Sequence, residues 1–134
     1  MDFRLEMSSG ANGEKKSIMI VDDEPDICTV LKGYLDGNGF NISTFTHPTL
    51  ALEHFKLEPE RYDVLLIDVR MPQMSGFELA RSVKALNPQT KIAIMTAFEI
   101  NKSEFDKVLP SSSIDAFLTK PVSISKVRET VEKL

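Results

Sequence analysis

Five short apolar runs alternate with longer amphipathic segments along this chain, and that rhythm restricts the fold more than any other feature. The runs are Ser17 to Val21, "FNISTF" at 40–45, Val64 to Ile67, "KIAIMT" at 91–96 and "IDAFL" at 114–118. They have strand length and are bounded by turn-forming residues. Between them, apolar residues recur at helical spacing: Ile27, Val30, Leu31 and Leu35, then Leu50, Ala51, Leu52 and Phe55, then Phe77, Leu79, Ala80, Val83 and Leu86. Pro25 suits a first helical turn, while Asn38-Gly39 and Asn87-Pro88 are stop signals. The pattern predicts a fourth helix over 100–109 and a fifth over 123–134.

Strand-helix alternation of this kind builds a mainly parallel sheet with helices on both faces. Right-handed crossovers restrict the topology further. The simplest solution is a single flavodoxin-like, doubly wound (βα)5 domain of the α/β class, with strand order 2-1-3-4-5. A chain of 134 residues suits one such core. The domain is expected over 17–134, and the polar, Gly- and Ser-containing stretch 1–16 reads as a disordered tail with no apolar signal core. A net charge of −4 argues against direct nucleic-acid binding by this domain, because phosphate neutralisation needs clustered Lys and Arg. One cysteine, Cys28, rules out an internal disulfide and points to the cytoplasm. No apolar run reaches the length of a membrane span.

In doubly wound sheets, ligands bind outside the carboxyl ends of the strands, near the point where strand order reverses. Here the first strand ends in Asp22-Asp23 and the third in Asp68, and these two strands should be neighbours. The fourth ends in Thr96 and the fifth in Thr119-Lys120-Pro121. One sheet edge therefore gathers carboxylates, a hydroxyl and an ammonium. Crowded carboxylates repel each other and raise each other's pKa values, so the site calls for cations. Lys120 supplies one charge. With oxygen donors and no Cys or paired His, a hard ion such as Mg²⁺ fits better than Zn²⁺, and Mn²⁺ can substitute. A carboxylate beside such an ion can attack phosphorus to give an aspartyl phosphate.

The stretches "IVDDEPDI", "LLIDVRMPQMSGFEL", "MTA" and "FLTKP", in this order and spacing, resemble the receiver domains of two-component response regulators. The resemblance covers residues 17–134. It implies that Asp68 is the phosphoacceptor and that Asp22, Asp23, Asp68 and the backbone carbonyl of Arg70 hold Mg²⁺. It implies further that Lys120 contacts the phosphoryl oxygens, that Thr96 and Phe117 form a hydroxyl-aromatic switch, and that the Lys120-Pro121 bond is cis. By the same resemblance, the side chains of Arg70 and Phe98 are expected to flank the path of the hydrolytic water and tune dephosphorylation. Bulky Phe98 implies a long-lived phosphate. The implied donor is a histidine kinase or a histidine phosphotransfer protein. The implied output is a switch of the surface formed by the fourth helix, fifth strand and fifth helix, read by a downstream protein, an output domain or a second copy in a phosphorylation-dependent homodimer. The resemblance implies no enzymatic activity beyond self-phosphorylation and autodephosphorylation at Asp68.

Simpler readings stand beside these. A lone Asp68 would be a turn residue, and Asp22-Asp23 a helix cap. Phe117 could be core filler. Glu24, His47 and His54 are expected in solvent, Cys28 in the core or on a helix surface, and Met71, Met74 and Met95 in packing. A haloacid-dehalogenase-type phosphatase also uses a strand-end Asp, but needs a second acid where this chain has Arg70. A dinucleotide-binding module needs a Gly-rich turn after the first strand, which is missing. A pseudo-receiver scaffold that never takes phosphate, and a receiver fragment of a longer regulator with a DNA-binding or other output domain, remain as alternatives within the family.

Overall fold

The computed structural model describes residues 15–97 and 114–134. Its elements are β1 (Lys16–Val21), α1 (Pro25–Asp36), β2 (Phe40–Phe45), α2 (Pro48–Leu57), β3 (Val64–Asp68), α3 (Gly76–Leu86), β4 (Lys91–Thr96), β5 (Ala116–Thr119) and α4 (Ile124–Lys133). The last is the fifth helix of the sequence pattern. The helix expected over 100–109, and Phe98 with it, lie outside the described residues, as does the expected tail up to residue 14. Lys16, at the end of that tail, already belongs to β1.

All five strands pair in parallel, in the order β2-β1-β3-β4-β5. The fold is the flavodoxin-like one the alternation predicts. The period of two along the central strands divides the core between two faces. Met19, Val21, Leu65, Ile67, Ile92 and Ile94 face α2 and α3, where Phe55, Leu79 and Val83 cover them. Ile18, Ile20, Val64, Leu66, Ala93 and Met95 face α1 and α4, under Leu31, Leu35, Val127 and Val131. β3 is buried along its whole length, including Asp68. That is why its sequence is a continuous apolar run instead of an alternating one.

Helix edges depart from the periodic expectation at single positions. The buried stripe of α1 is Cys28, Leu31 and Leu35, and Val30 falls beside it, 54% exposed. Leu50 of α2 and Leu86 of α3 are likewise exposed, on the flanks of their stripes. His54 does not simply face solvent. It is half-buried, its Nε2 lies 2.8 Å from the Tyr62 hydroxyl, and its ring packs against Phe45. His47 is exposed. Met71 and Met74 pack against the core and Met95 is buried within it.

The amino ends of the strands are tied by two aspartates. The Asp63 carboxylate accepts the Ser17 N–H at 2.8 Å, and its backbone bonds both Ser17 and Lys91. The Asp115 carboxylate accepts the Ile92 N–H at 2.8 Å and pairs with Lys84 at 3.0 Å. Asp115 thus ties to β4 ahead of β5, which begins at Ala116, later than the apolar run suggests.

Candidate functional site

The carboxyl edge of the sheet gathers the acids as the strand ends require. Asp22 follows β1 directly and is fully buried. Its backbone N–H donates to the Phe45 carbonyl of neighbouring β2 at 3.1 Å. Its Oδ1 accepts the Glu24 N–H at 2.9 Å, which fixes the carboxylate and the turn into α1 together. Asp68 ends β3 and is 6% exposed. Asp23 is exposed beside them. Oxygen atoms of Asp22, Asp23 and Asp68 all lie within 4.8 Å of one another. Among the described residues, this is the group of acids able to share a cation.

Lys120 closes the cluster. Its Nζ donates to Asp22 Oδ2 at 3.1 Å and lies 2.9 Å from Asp68 Oδ1. It stands in front of these acids because β5 pairs with β4 up to Thr96 and Thr119, and the Lys120 N–H donates to the Thr96 carbonyl at 2.6 Å. The Lys120-Pro121 bond is cis, as the sequence resemblance implies. Thr96 ends β4, buried, next to the cleft. The cleft measures about 260 Å³ and is lined by Asp23, Glu24, Asp68, Arg70, Thr96 and Lys120.

Burial sets the electrostatics. Desolvation pushes the Asp68 carboxyl above its ordinary range, and the hydrogen bond from Lys120 only partly offsets it. Desolvation raises Asp22 likewise, against the Glu24 backbone and Lys120. For Lys120, burial lowers the pKa, but the hydrogen bond to Asp68 and the charge of Asp22 outweigh it and hold the ammonium protonated. Burial also pushes the Cys28 thiol up to about 11. Cys28 sits beneath the acids, its Sγ 3.4 Å from the Asp22 carbonyl oxygen, as a packed and unreactive group. Three acid groups with one ammonium leave negative charge and hard oxygen donors, the composition a hydrated divalent ion of the Mg²⁺ class satisfies.

The loop from β3 to α3 is held by close packing. Gly76 opens α3 and donates to the Val69 carbonyl at 2.8 Å. A Cβ at Gly76 would collide with the Asp68 carbonyl oxygen and press on Val69. Ser75 and Glu78 form a reciprocal capping box at the start of α3. Gln73 takes a left-handed backbone at φ 74 in the same loop.

Sequence reasoning brought Asp22, Asp23, Asp68, Thr96 and Lys120 to one place, and the structure does the same. Arg70 lines the cleft with its side chain exposed. Phe117 is 40% exposed on β5, with Leu118 buried beside it. It is therefore not core filler. Two participants were missed. Glu24 is exposed, as expected, but its Oε1 also reaches to 3.5 Å from Lys120 Nζ. Gly76 was legible as a helix opener, but its contact with Asp68 was not.

Comparison with known proteins follows the same line. The sequence matches the response regulator receiver domain family over residues 18–132. The transcriptional regulatory protein ZraR of Salmonella typhimurium is 36% identical over 121 residues, which cover 89% of this chain and 26% of ZraR. The chain thus spans about a quarter of that relative's length. A response regulator receiver domain protein from Clostridium thermocellum superposes with a TM-score of 0.78 over 88% of this chain and 92% of its own, at 24% identity, and shares the fold. The response regulator TrrA of Thermotoga maritima, solved in complex with Mg²⁺-BeF, superposes with a TM-score of 0.74 at 32% identity, over 88% of this chain and 97% of its own. The alternating fold, the acids at its carboxyl edge and these likenesses converge: the chain belongs to the response regulator receiver domain family.

Proposed function

We propose that this chain accepts a phosphoryl group on Asp68 and passes the event on as a change of surface. The observation that carries the reading is the Asp22, Asp23 and Asp68 cluster, with oxygens within 4.8 Å and Lys120 bonded to two of the three. Asp22, Asp23, Asp68 and the Arg70 carbonyl would hold Mg²⁺, or Mn²⁺ in its place. When bound, the ion neutralises charge on the transferring phosphoryl group.

The residues of the chain supply the rest. β3, buried on both faces, holds the Asp68 carboxylate rigidly at the cleft. An Asp68 oxygen attacks phosphorus of a phosphohistidine. The P–O bond forms as the P–N bond breaks, and the imidazole leaves with its electron pair. Lys120 stays charged and contacts the new phosphoryl oxygens. The Thr96 hydroxyl, at the end of the adjacent strand, turns to another of them. Phe117, exposed in this structure, then moves into space that Thr96 has left. Phosphate need only favour a conformation already populated. The responding surface comprises β5, α4 and the segment that precedes β5.

The donor is a histidine kinase or a histidine phosphotransfer protein, acting in the cytoplasm. An apolar groove of about 460 Å³ beside the cleft, with Ile27, Val30, Leu31, Val122 and Ile124 in its wall, suits the apolar face of a donor helix. The readout is an output domain, as in the transcriptional regulators it resembles, or a separate target or second copy of the chain. The complete acid-lysine-threonine set speaks against a scaffold that never takes phosphate.

The test is intact mass after incubation with acetyl phosphate and Mg²⁺. One added phosphoryl group that requires both Mg²⁺ and Asp68 is expected. No adduct in the wild type, together with no binding of beryllofluoride, would overturn the reading.

A further inference from the structure

Lys120 and a divalent cation would compete for the same oxygens. The ammonium lies 2.9 Å from Asp68 Oδ1 and 3.1 Å from Asp22 Oδ2, two of the acids in the cation cluster. A third carboxylate, that of Glu24, reaches Lys120 at 3.5 Å and stands outside that cluster. Glu24 occupies the N-cap position of α1 in extended backbone, and its side chain makes no capping hydrogen bond. Side-chain capping belongs to the shorter Ser, Thr, Asp and Asn, so the longer glutamate side chain is free of that duty. Here the backbone N–H of Glu24 orients Asp22, while its side chain, 62% exposed, extends over the cleft to the lysine.

We infer that Glu24 is a positioning residue for metal loading, one that takes over the Lys120 ammonium when a cation claims Asp22 and Asp68. The inference rests on the metal site proposed above. A doubly charged ion at the acids repels the ammonium next to it. The flexible four-carbon stem of lysine lets Nζ shift by a short distance without leaving the cleft. At Glu24 it remains paired, near solvent, and within reach of a phosphoryl group arriving at Asp68. Without Glu24 the ammonium has to leave its partners for water, and the cation binds less tightly.

Calorimetric titration of MgCl2 into the full chain, with no phosphodonor present, tests this in wild type, Glu24→Gln, Lys120→Met and the double variant. Glu24→Gln is expected to weaken Mg²⁺ by about fivefold, the upper range for a partly exposed ion pair. Lys120→Met is expected to tighten it. In the Lys120→Met background the Glu24 substitution should change affinity by about twofold or less, the remnant of a screened surface charge. An equal loss in both backgrounds would show that Glu24 acts on the cation directly and overturn the inference, as would no loss in the wild type. Thermal unfolding of metal-free Glu24→Gln should match wild type, as expected of a surface substitution. Asp68→Asn serves as the control for the site itself. If it leaves Mg²⁺ affinity unchanged, the metal assignment fails, irrespective of Glu24.

Discussion

Replacing Asp68 by Asn should make the metal-free protein more stable, although it removes the proposed phosphoacceptor. At an effective dielectric constant of 20, the Lys120 contact at 2.9 Å attracts Asp68 by about 6 kcal/mol. Repulsion from buried Asp22, within 4.8 Å, returns at least about 3 kcal/mol. Exposed Asp23 adds a smaller repulsion. Stripping water from a carboxylate as buried as Asp68 costs several kcal/mol more. The unfavourable terms win, in agreement with the raised pKa of Asp68, whose first cause is burial. Asn keeps the shape and an oxygen toward Lys120 without the charge. We expect a gain of about 1–3 kcal/mol, or about 4–12 °C in Tm for a domain of this size. The pH dependence has a definite sign. A carboxyl whose folded pKa is raised holds its proton to higher pH than the unfolded chain does, so stability is lost as pH rises from the ordinary Asp value of about 3.9 through the folded pKa. The advantage of Asn should grow as pH rises through the folded pKa and shrink toward pH 4. Thermal unfolding followed by circular dichroism, in EDTA at pH 7.5 and pH 4.5, measures both. Adding Mg²⁺ at about 100 times its Kd should then raise the wild type by about 2.7 kcal/mol and the variant by far less. An Asn variant less stable than wild type in EDTA at pH 7.5 would refute this account of the site's electrostatics.

Three further outcomes are expected. Gly76→Ala forces a Cβ onto the Asp68 carbonyl oxygen, and should cost about 1–3 kcal/mol and slow labelling by acetyl phosphate; unchanged Tm and labelling would count against the contact. Ser75→Ala removes the capping box of α3 and should lower stability by about 1 kcal/mol, read by urea unfolding, with Mg²⁺ affinity intact. Thr96→Ala should leave Mg²⁺ binding and labelling of Asp68 in place, but abolish the phosphate-linked change at Phe117, seen as loss of the shift in its aromatic NMR resonances.

The strands were legible because parallel pairing buries both faces, which leaves continuous runs such as "VLLID" with a sharp end. The site was legible for a related reason. Asp22, Asp68, Thr96 and Lys120 are conspicuous as polar residues at the ends of apolar runs, and strand order alone brings those ends together. What escaped was set by side-chain reach and by local angle. Val30 and Leu50 fit a helical period but sit beside the buried stripe, a displacement that composition does not reveal. His54 looked solvated because its partner, Tyr62, lies in the loop before β3 and carries no signal of pairing. Glu24 could be read as a charged turn residue, and only the position of Lys120 shows where its carboxylate goes. Gly76 signals a helix start in any sequence, but its lack of a side chain matters because the Asp68 carbonyl fills the space.

The aspartates at the amino ends of the strands have a consequence for how such a domain can diversify. Asp63 and Asp115 lock the register of β1, β3, β4 and β5 from the end of the sheet that carries none of the chemistry. Loops at the other end are thereby relieved of holding the strands in step. Their length and composition can be rewritten, by evolution or by a protein engineer seeking a new partner specificity, while the strand termini continue to present the acids in the same relative positions.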